Sequence, residues 1–177
     1  MPLLDKVDGY NIVYKWFNYL KSQGHFINAV VPIAIGMPNH VHAVISFIET
    51  GQSINNIIGN GKRFMAYDII KRLKENNESE LLNLLSDAVE TKRKANNKKH
   101  EVWELSFDWK HCSSDQFVQQ KTDYIHINPC KGKWNLCASP EQYKHSSAKY
   151  YLTGAQGFYE VDNVAEMTDK VFVLKEK

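Results

Sequence analysis

The chain has 177 residues, with 22 Lys and Arg against 20 Asp and Glu, a net charge of +2. That balance excludes a histone-like polycation, and 43% hydrophobic with 24% charged residues excludes a disordered chain. The length is that of one domain able to bury its own core.

Three cysteines, Cys112, Cys130 and Cys137, form no CxxC pair and are odd in number, which predicts a reducing compartment and no disulfide framework. No apolar run approaches the ~20 residues of a membrane span, and the start MPLLDKVDGY is no signal peptide. The expectation is a cytoplasmic protein with no membrane partner.

In chain order, Asp8 caps a first helix whose apolar face is Ile12, Val13, Trp16, Phe17 and Leu20. Gly24 stops it. AVVPIAIGMPNHVHAVISF follows as two strands broken at the turn Gly36-Met37-Pro38-Asn39. On the second strand, Val41, Ala43, Ile45 and Phe47 point to one face and His40, His42, Val44 and Ser46 to the other. The apolar face is expected under the helices, leaving the histidine face open.

Residues 51–61 read as a polar, glycine-punctuated loop or short helix. KRFMAYDIIKRLK, residues 62–74, reads as an amphipathic basic helix, and leucines over 81–89 predict another. TKRKANNKKH at 91–100 is the second basic stretch. Ten of the 22 basic residues fall in these two stretches, so the small net charge hides a local basic surface. EVWELSFDW alternates Trp103, Leu105, Phe107 and Trp109 on one face, which predicts a strand over 101–109.

Ser113, with Gln116 three residues on, opens a helix by a capping-box pattern. Pro129 ends it near Asn128. Ser139-Pro140-Glu141 starts a last short helix, and residues 153–177 have no period and remain unassigned. The pattern predicts an α+β fold with helices covering a sheet.

His40 and His42, two apart on a strand, leave the same face and can reach one divalent cation. The spacing equally fits two histidines with no metal. Tyr124 and Asn128, four apart, share a helical stripe with Phe117 and Lys121. That stripe fits either a packed tyrosine or a nucleophile. The basic stretches, including Lys62, Arg63, Lys71 and Arg72, fit solvated helix faces or contacts to a phosphate backbone, as does Lys121. Phe64, Tyr67, Trp103 and Trp109 are interleaved with them and could stack bases.

MPNHVHAVI (37–45), then YIHINPCKGKW (124–134), then YKHSSAKYY (143–151), taken together and in order, resemble the HUH-type single-tyrosine transposases. The resemblance is greatest to the branch holding the REP-associated tyrosine transposases and spans residues 8–152. It implies a ferredoxin-like sandwich with a central antiparallel sheet. It implies His40, His42 and Asn128 as ligands of Mg²⁺ or Mn²⁺, and Tyr124 as the nucleophile. The implied activity is cleavage and rejoining of single-stranded, hairpin-forming DNA through a 5′-phosphotyrosine, in DNA transposition and recombination. Some such proteins are homodimers and others monomers, and both stay open.

The family opens with a strand before the first helix. This sequence shows no such run before residue 8, so the expected sheet is one strand short at the N-terminus. That supports an alternative, an impaired or domesticated protein that binds hairpin DNA without cutting it. A Zn²⁺ hydrolase using the HxH pair is a third reading, without an obvious third ligand in the sequence.

Overall fold

The computed structural model describes residues 3–33, 40–94, 96–104, 107–131 and 135–167. It is an α+β fold, rich in helix with one two-stranded antiparallel sheet among the described residues. The order is α1 (Leu3–Lys6), α2 (Gly9–Ser22), β1 (Phe26–Ile33), β2 (His40–Ser46), α3 (Ile54–Glu75), α4 (Ser79–Asp87), α5 (Thr91–Lys94), α6 (Asp115–Ile127) and α7 (Ala148–Thr153). Single 3-10 turns lie at Asn128–Cys130, Pro140–Gln142 and Val164–Met167. The turn foreseen at 36–39 lies outside the described residues, as do Leu105, Lys133 and Trp134.

The chain divides into two compact units. One comprises Met1–Trp16, Ala34–His40 and Gly51–Trp109, and the other Phe17–Ile33, Val41–Thr50 and Lys110–Lys177.

In the first unit, Asp8 stands at positive φ just before α2 and accepts a side-chain bond from Asn11 at 2.6 Å. The long helix α3 replaces the two pieces expected over 51–74. Ser53 caps it by accepting from Asn56 N, and it runs through Gly59 and Gly61 without a break. Gly61 lets the helix approach Trp16, since a Cβ there would stand 2.3 Å from the indole Nε1. That close packing offsets the helix penalty of a glycine. Every fourth residue of α3, Ile57, Gly61, Met65, Ile69 and Leu73, is buried. Leu81 and Leu85 of α4 are buried too, followed by Val89.

The strand expected over 101–109 is absent from the described residues of that range. Its described residues, 101–104 and 107–109, carry no strand pairing. Among the described residues, side chains and a backbone bond from Glu101 hold this segment instead of a ladder. Glu101 N donates to Leu85 O at 2.8 Å, the Glu101 carboxylate takes both Arg93 and Lys98, and Lys62 donates to Glu104 O. Alternation here did not mean a shared buried face, since Trp109 is half exposed.

The second unit is built on β1, whose residues are buried from Ile27 onward. Gly24, at φ +89°, turns the chain out of α2 and into the strand. Ala29, Val31 and Ile33 pack with Ile125 of α6, joined by Val44, Leu136, Tyr143 and Tyr151. The backbone groups of β1 are met from the C-terminal part of the chain. Ser147 N donates to Val30 O and Ser147 Oγ accepts from Val30 N, both at 3.0 Å. Tyr151 and Tyr143 hydroxyls donate to Asn28 O and Pro32 O, each at 2.8 Å. Asp162 N donates to Ile27 O at 2.8 Å, and the Asp162 carboxylate accepts from Ile27 N at 3.1 Å. The aperiodic stretch after residue 153 is therefore fastened to the sheet by side chains and single backbone bonds, which leave no periodic signature.

No described helix is long and apolar enough to cross a membrane.

Candidate functional site

Helix α6 organises the site. Ser114, not Ser113, is its cap, accepting from Phe117 N at 3.3 Å. The cap is thus displaced by one residue, which puts Phe117 in place of Gln116 at the third helical position and leaves a simple serine cap in place of the capping box. The helix ends at Ile127 and Asn128 opens a 3-10 turn. The buried Pro129 prevents further α-helix, because it has no N–H to donate. Leu136 N donates to Pro129 O at 2.8 Å and ties the following segment back onto this corner.

One face of α6 carries Phe117, Lys121, Tyr124 and Asn128, as their spacing requires. Asn128 reaches β2: its Nδ2 lies 2.9 Å from His42 Nε2. The Tyr124 ring meets the His42 ring edge-on, with centroids 6.3 Å apart and planes at 89°. Lys121 Nζ sits 5.9 Å from the Tyr124 ring centroid and 5.0 Å from that of Phe117. Tyr124 is 57% exposed, so its side chain is not packed in a core.

This corrects the expectation of an open histidine face. His42 is met by α6, and β2 is half-buried at every position rather than alternately exposed and covered. His40 opens β2 two residues before His42, which strand alternation puts on the same face.

The donor set can be tested against a hard divalent ion. Two cis ligands of an octahedral Mg²⁺ at about 2.0–2.1 Å stand roughly 3 Å apart. Asn128 and His42 already hold that separation. A half-turn of the amide exchanges Nδ2 for Oδ1 and presents an oxygen in its place. The spacing of this pair suits two neighbouring ligands of such an ion.

The neighbouring motif residues are structural. His126, two positions from both Tyr124 and Asn128, is buried, with Nε2 2.8 Å from Ser147 Oγ. Burial lowers its pKa to about 4, outweighing the opposing pull of Asp123. The hydroxyl it meets is the one that accepts from Val30 N. One buried chain of bonds therefore joins α6, the start of α7 and β1. Ser146 Oγ accepts from Ala148 N at 3.0 Å at the same helix start. The sequence separated His126 from the site stripe, but nothing in its spacing pointed to Ser147. Nor did spacing reveal that the Cys130 and Cys137 thiols lie 3.2 Å apart.

The basic residues divide by what they already hold. Arg72 donates to Val7 O at 2.8 Å and Asp8 O at 3.2 Å, closing the turn between α1 and α2. Lys62 is bound to Glu104 O, and desolvation lowers its pKa. Lys71 pairs loosely with Glu75 at 3.8 Å. Arg63 lies over the Phe64 ring at 5.1 Å and has no ion pair among the described residues. All four belong to the first unit, and Lys121 to the second.

Comparison of the chain with protein-family models, with curated proteins and with solved structures finds no match in any of the three.

Proposed function

We propose that this chain is a metal-dependent, transposase-type strand transferase. It would cut and rejoin single-stranded, hairpin-forming DNA, with Tyr124 as the nucleophile and a ferredoxin-like arrangement around the sheet. The observation that carries the reading is the meeting of His42 with both Asn128, at 2.9 Å, and an exposed Tyr124. Three residues of two separate sequence motifs, 86 positions apart at the extremes, converge on one exposed corner. A tyrosine kept for packing would be buried.

In this reading His40, His42 and Asn128 hold Mg²⁺ or Mn²⁺, whose charge polarises the scissile phosphate when bound. Tyr124 Oη attacks phosphorus in line with the departing 3′-oxygen. The Oη–P bond forms, the P–O3′ bond breaks, the phenolic proton passes to solvent or to a base beside the ring, and the departing 3′-oxygen takes a proton from solvent. The products are a 5′-phosphotyrosine and a free 3′-hydroxyl. The covalent bond keeps the phosphodiester energy, so another 3′-hydroxyl can reverse the step without ATP. The ammonium of Lys121, over the rings of Phe117 and Tyr124, attracts the arriving phosphate. The bond of Asn128 to His42 and the end of α6 at Pro129 hold the site residues in register.

The test is incubation of labelled hairpin oligonucleotides with protein and Mn²⁺, followed by a denaturing gel. A covalent complex is expected with the native chain and none with Tyr124→Phe. An adduct that survives in Tyr124→Phe overturns the assignment. Hairpin binding by the native chain with no adduct at all supports the alternative, a protein that binds such DNA without cutting it.

A further inference from the structure

The outward face of α3 shows a second kind of chemistry. Phe64 is 60% and Tyr67 63% exposed, among the most exposed large hydrophobic side chains of the protein. They are three residues apart on one helix and their rings meet at 85° with centroids 6.4 Å apart. The Arg63 guanidinium stacks on Phe64 at 5.1 Å. Single exposed aromatics are ordinary on a protein surface. Two in contact, with an arginine stacked on one that has no ion pair among the described residues, are not.

The rest of the exposed face narrows the partner. It carries Asn55, Asn56, Asn60, Lys71 and Lys74 but no Leu, Ile, Met or Val. A helix that docks in a protein groove presents a continuous apolar stripe at i, i+3 or i+4 and i+7, whereas here the stripe stops after Phe64 and Tyr67, with Asn60 before it and Lys71 after it. Here the two exposed apolar side chains are aromatic, Ile58 and Ile70 being partly buried, and amides and cations surround them. Asp68 is held by Lys15 at 3.6 Å, and the pair of Lys71 with Glu75 is solvent-exposed at both ends, so a phosphate can displace it at little cost. Flat rings for stacking, cations for phosphates and amides for base edges together match unpaired nucleotides.

We propose that this face of α3 is a stacking platform for unpaired bases of single-stranded DNA, with Phe64 and Tyr67 as the stacking rings and Arg63 and Lys71 as phosphate contacts. The choice of DNA rests on the proposed function; the platform itself does not depend on the chemistry of Tyr124.

Fluorescence anisotropy tests it, with a hairpin carrying a single-stranded flank and the same hairpin blunt-ended. Both rings are exposed, so substitution leaves the fold intact, which thermal melting of each variant checks. Phe64→Ala/Tyr67→Ala is expected to raise Kd for the flanked hairpin roughly tenfold or more, and to change the blunt one much less. Phe64→Trp should restore binding. Arg63→Gln should lower the slope of log K against log salt by about 0.7. Wild-type affinity in the double alanine variant overturns the platform and leaves the proposed function standing. A native chain that binds neither oligonucleotide overturns both. Loss of self-association in the double variant, with DNA affinity unchanged, gives the face to a second copy of the chain and also overturns the proposal.

Discussion

Asn128 and His42 hold each other at 2.9 Å across the gap between the end of α6 and β2. The contact is one of exchangeable donors. The amide can turn its oxygen or its nitrogen toward the imidazole, and of the two only the oxygen has a lone pair to offer a cation. Asn128→Leu removes both and is expected to lower the yield of the covalent DNA complex by at least about tenfold. Asn128→Asp keeps an oxygen and should keep Mn²⁺ affinity, read by calorimetry. Equal adduct yield in Asn128→Leu and the native chain would remove Asn128 from the site.

Gly59 and Gly61 predict opposite outcomes for the same substitution. An added Cβ at Gly61 meets Trp16 Nε1 at 2.3 Å, whereas at Gly59 it meets nothing within 4 Å. Gly61→Ala should destabilise the protein by about 1–3 kcal/mol, despite its better helix propensity. Gly59→Ala should stabilise by about 0.5–1 kcal/mol. Urea unfolding of the two variants checks both signs.

Two buried histidines set an acid limit. Burial lowers the pKa of His25, and its Nδ1 accepts from Ile48 N at 3.2 Å, a bond that protonation there destroys. His126 is lowered to about 4. The unfolded chain binds these protons near pH 6.5, so between that value and the folded pKa it binds more protons than the native state does. Stability is therefore full above about pH 6.5 and falls as pH drops. For His126 the loss runs to about pH 4 and amounts to about 3 kcal/mol. Denaturant midpoints measured from pH 7.5 to 4.5 should fall accordingly, with a shallower fall in His126→Gln. A flat profile over that range would contradict the burial of these rings.

Thr122 on α6 is buried, and its Oγ1 has no hydrogen-bond partner among the described residues. The shape is filled but the hydroxyl is unsatisfied. Thr122→Val replaces it with a methyl group and should stabilise by about 1 kcal/mol. A loss of similar size on thermal or urea unfolding would show that the hydroxyl has a partner in solution.

Local patterns in the sequence were enough for the helix at the site. Its cap, its stripe of Phe117, Lys121, Tyr124 and Asn128, and its end before Pro129 all follow from neighbours within one or two turns, apart from a one-residue shift of the cap. The two strands, the first helix and the helix over 81–89 follow from the same short-range periodicity. Where a distant partner decides, local reading failed. Gly59 and Gly61 looked like breakers because a glycine costs a helix about 1 kcal/mol, and only Trp16, 45 positions before Gly61, shows why α3 continues. Trp103, Phe107 and Trp109 alternate like a strand, but a strand needs a second backbone to pair with. Residues 156–163 carry no period, yet Asp162 closes backbone bonds of β1.

The site divides along the same line. Sequence by itself singled out the candidate residues: an HxH pair on a strand, and Tyr124 with Asn128 on one helical stripe. Only the tertiary structure decided that His42 meets Asn128 and Tyr124, and that α6 covers the side of β2 that was expected to be open. It also decided that His126 turns inward to Ser147. The physical reason is range. Periodicity fixes the direction of a side chain relative to its own element. Which element it then faces depends on burial and hydrogen bonding summed over the whole second unit, as in the bonds that Ser147, Tyr151 and Asp162 make to β1.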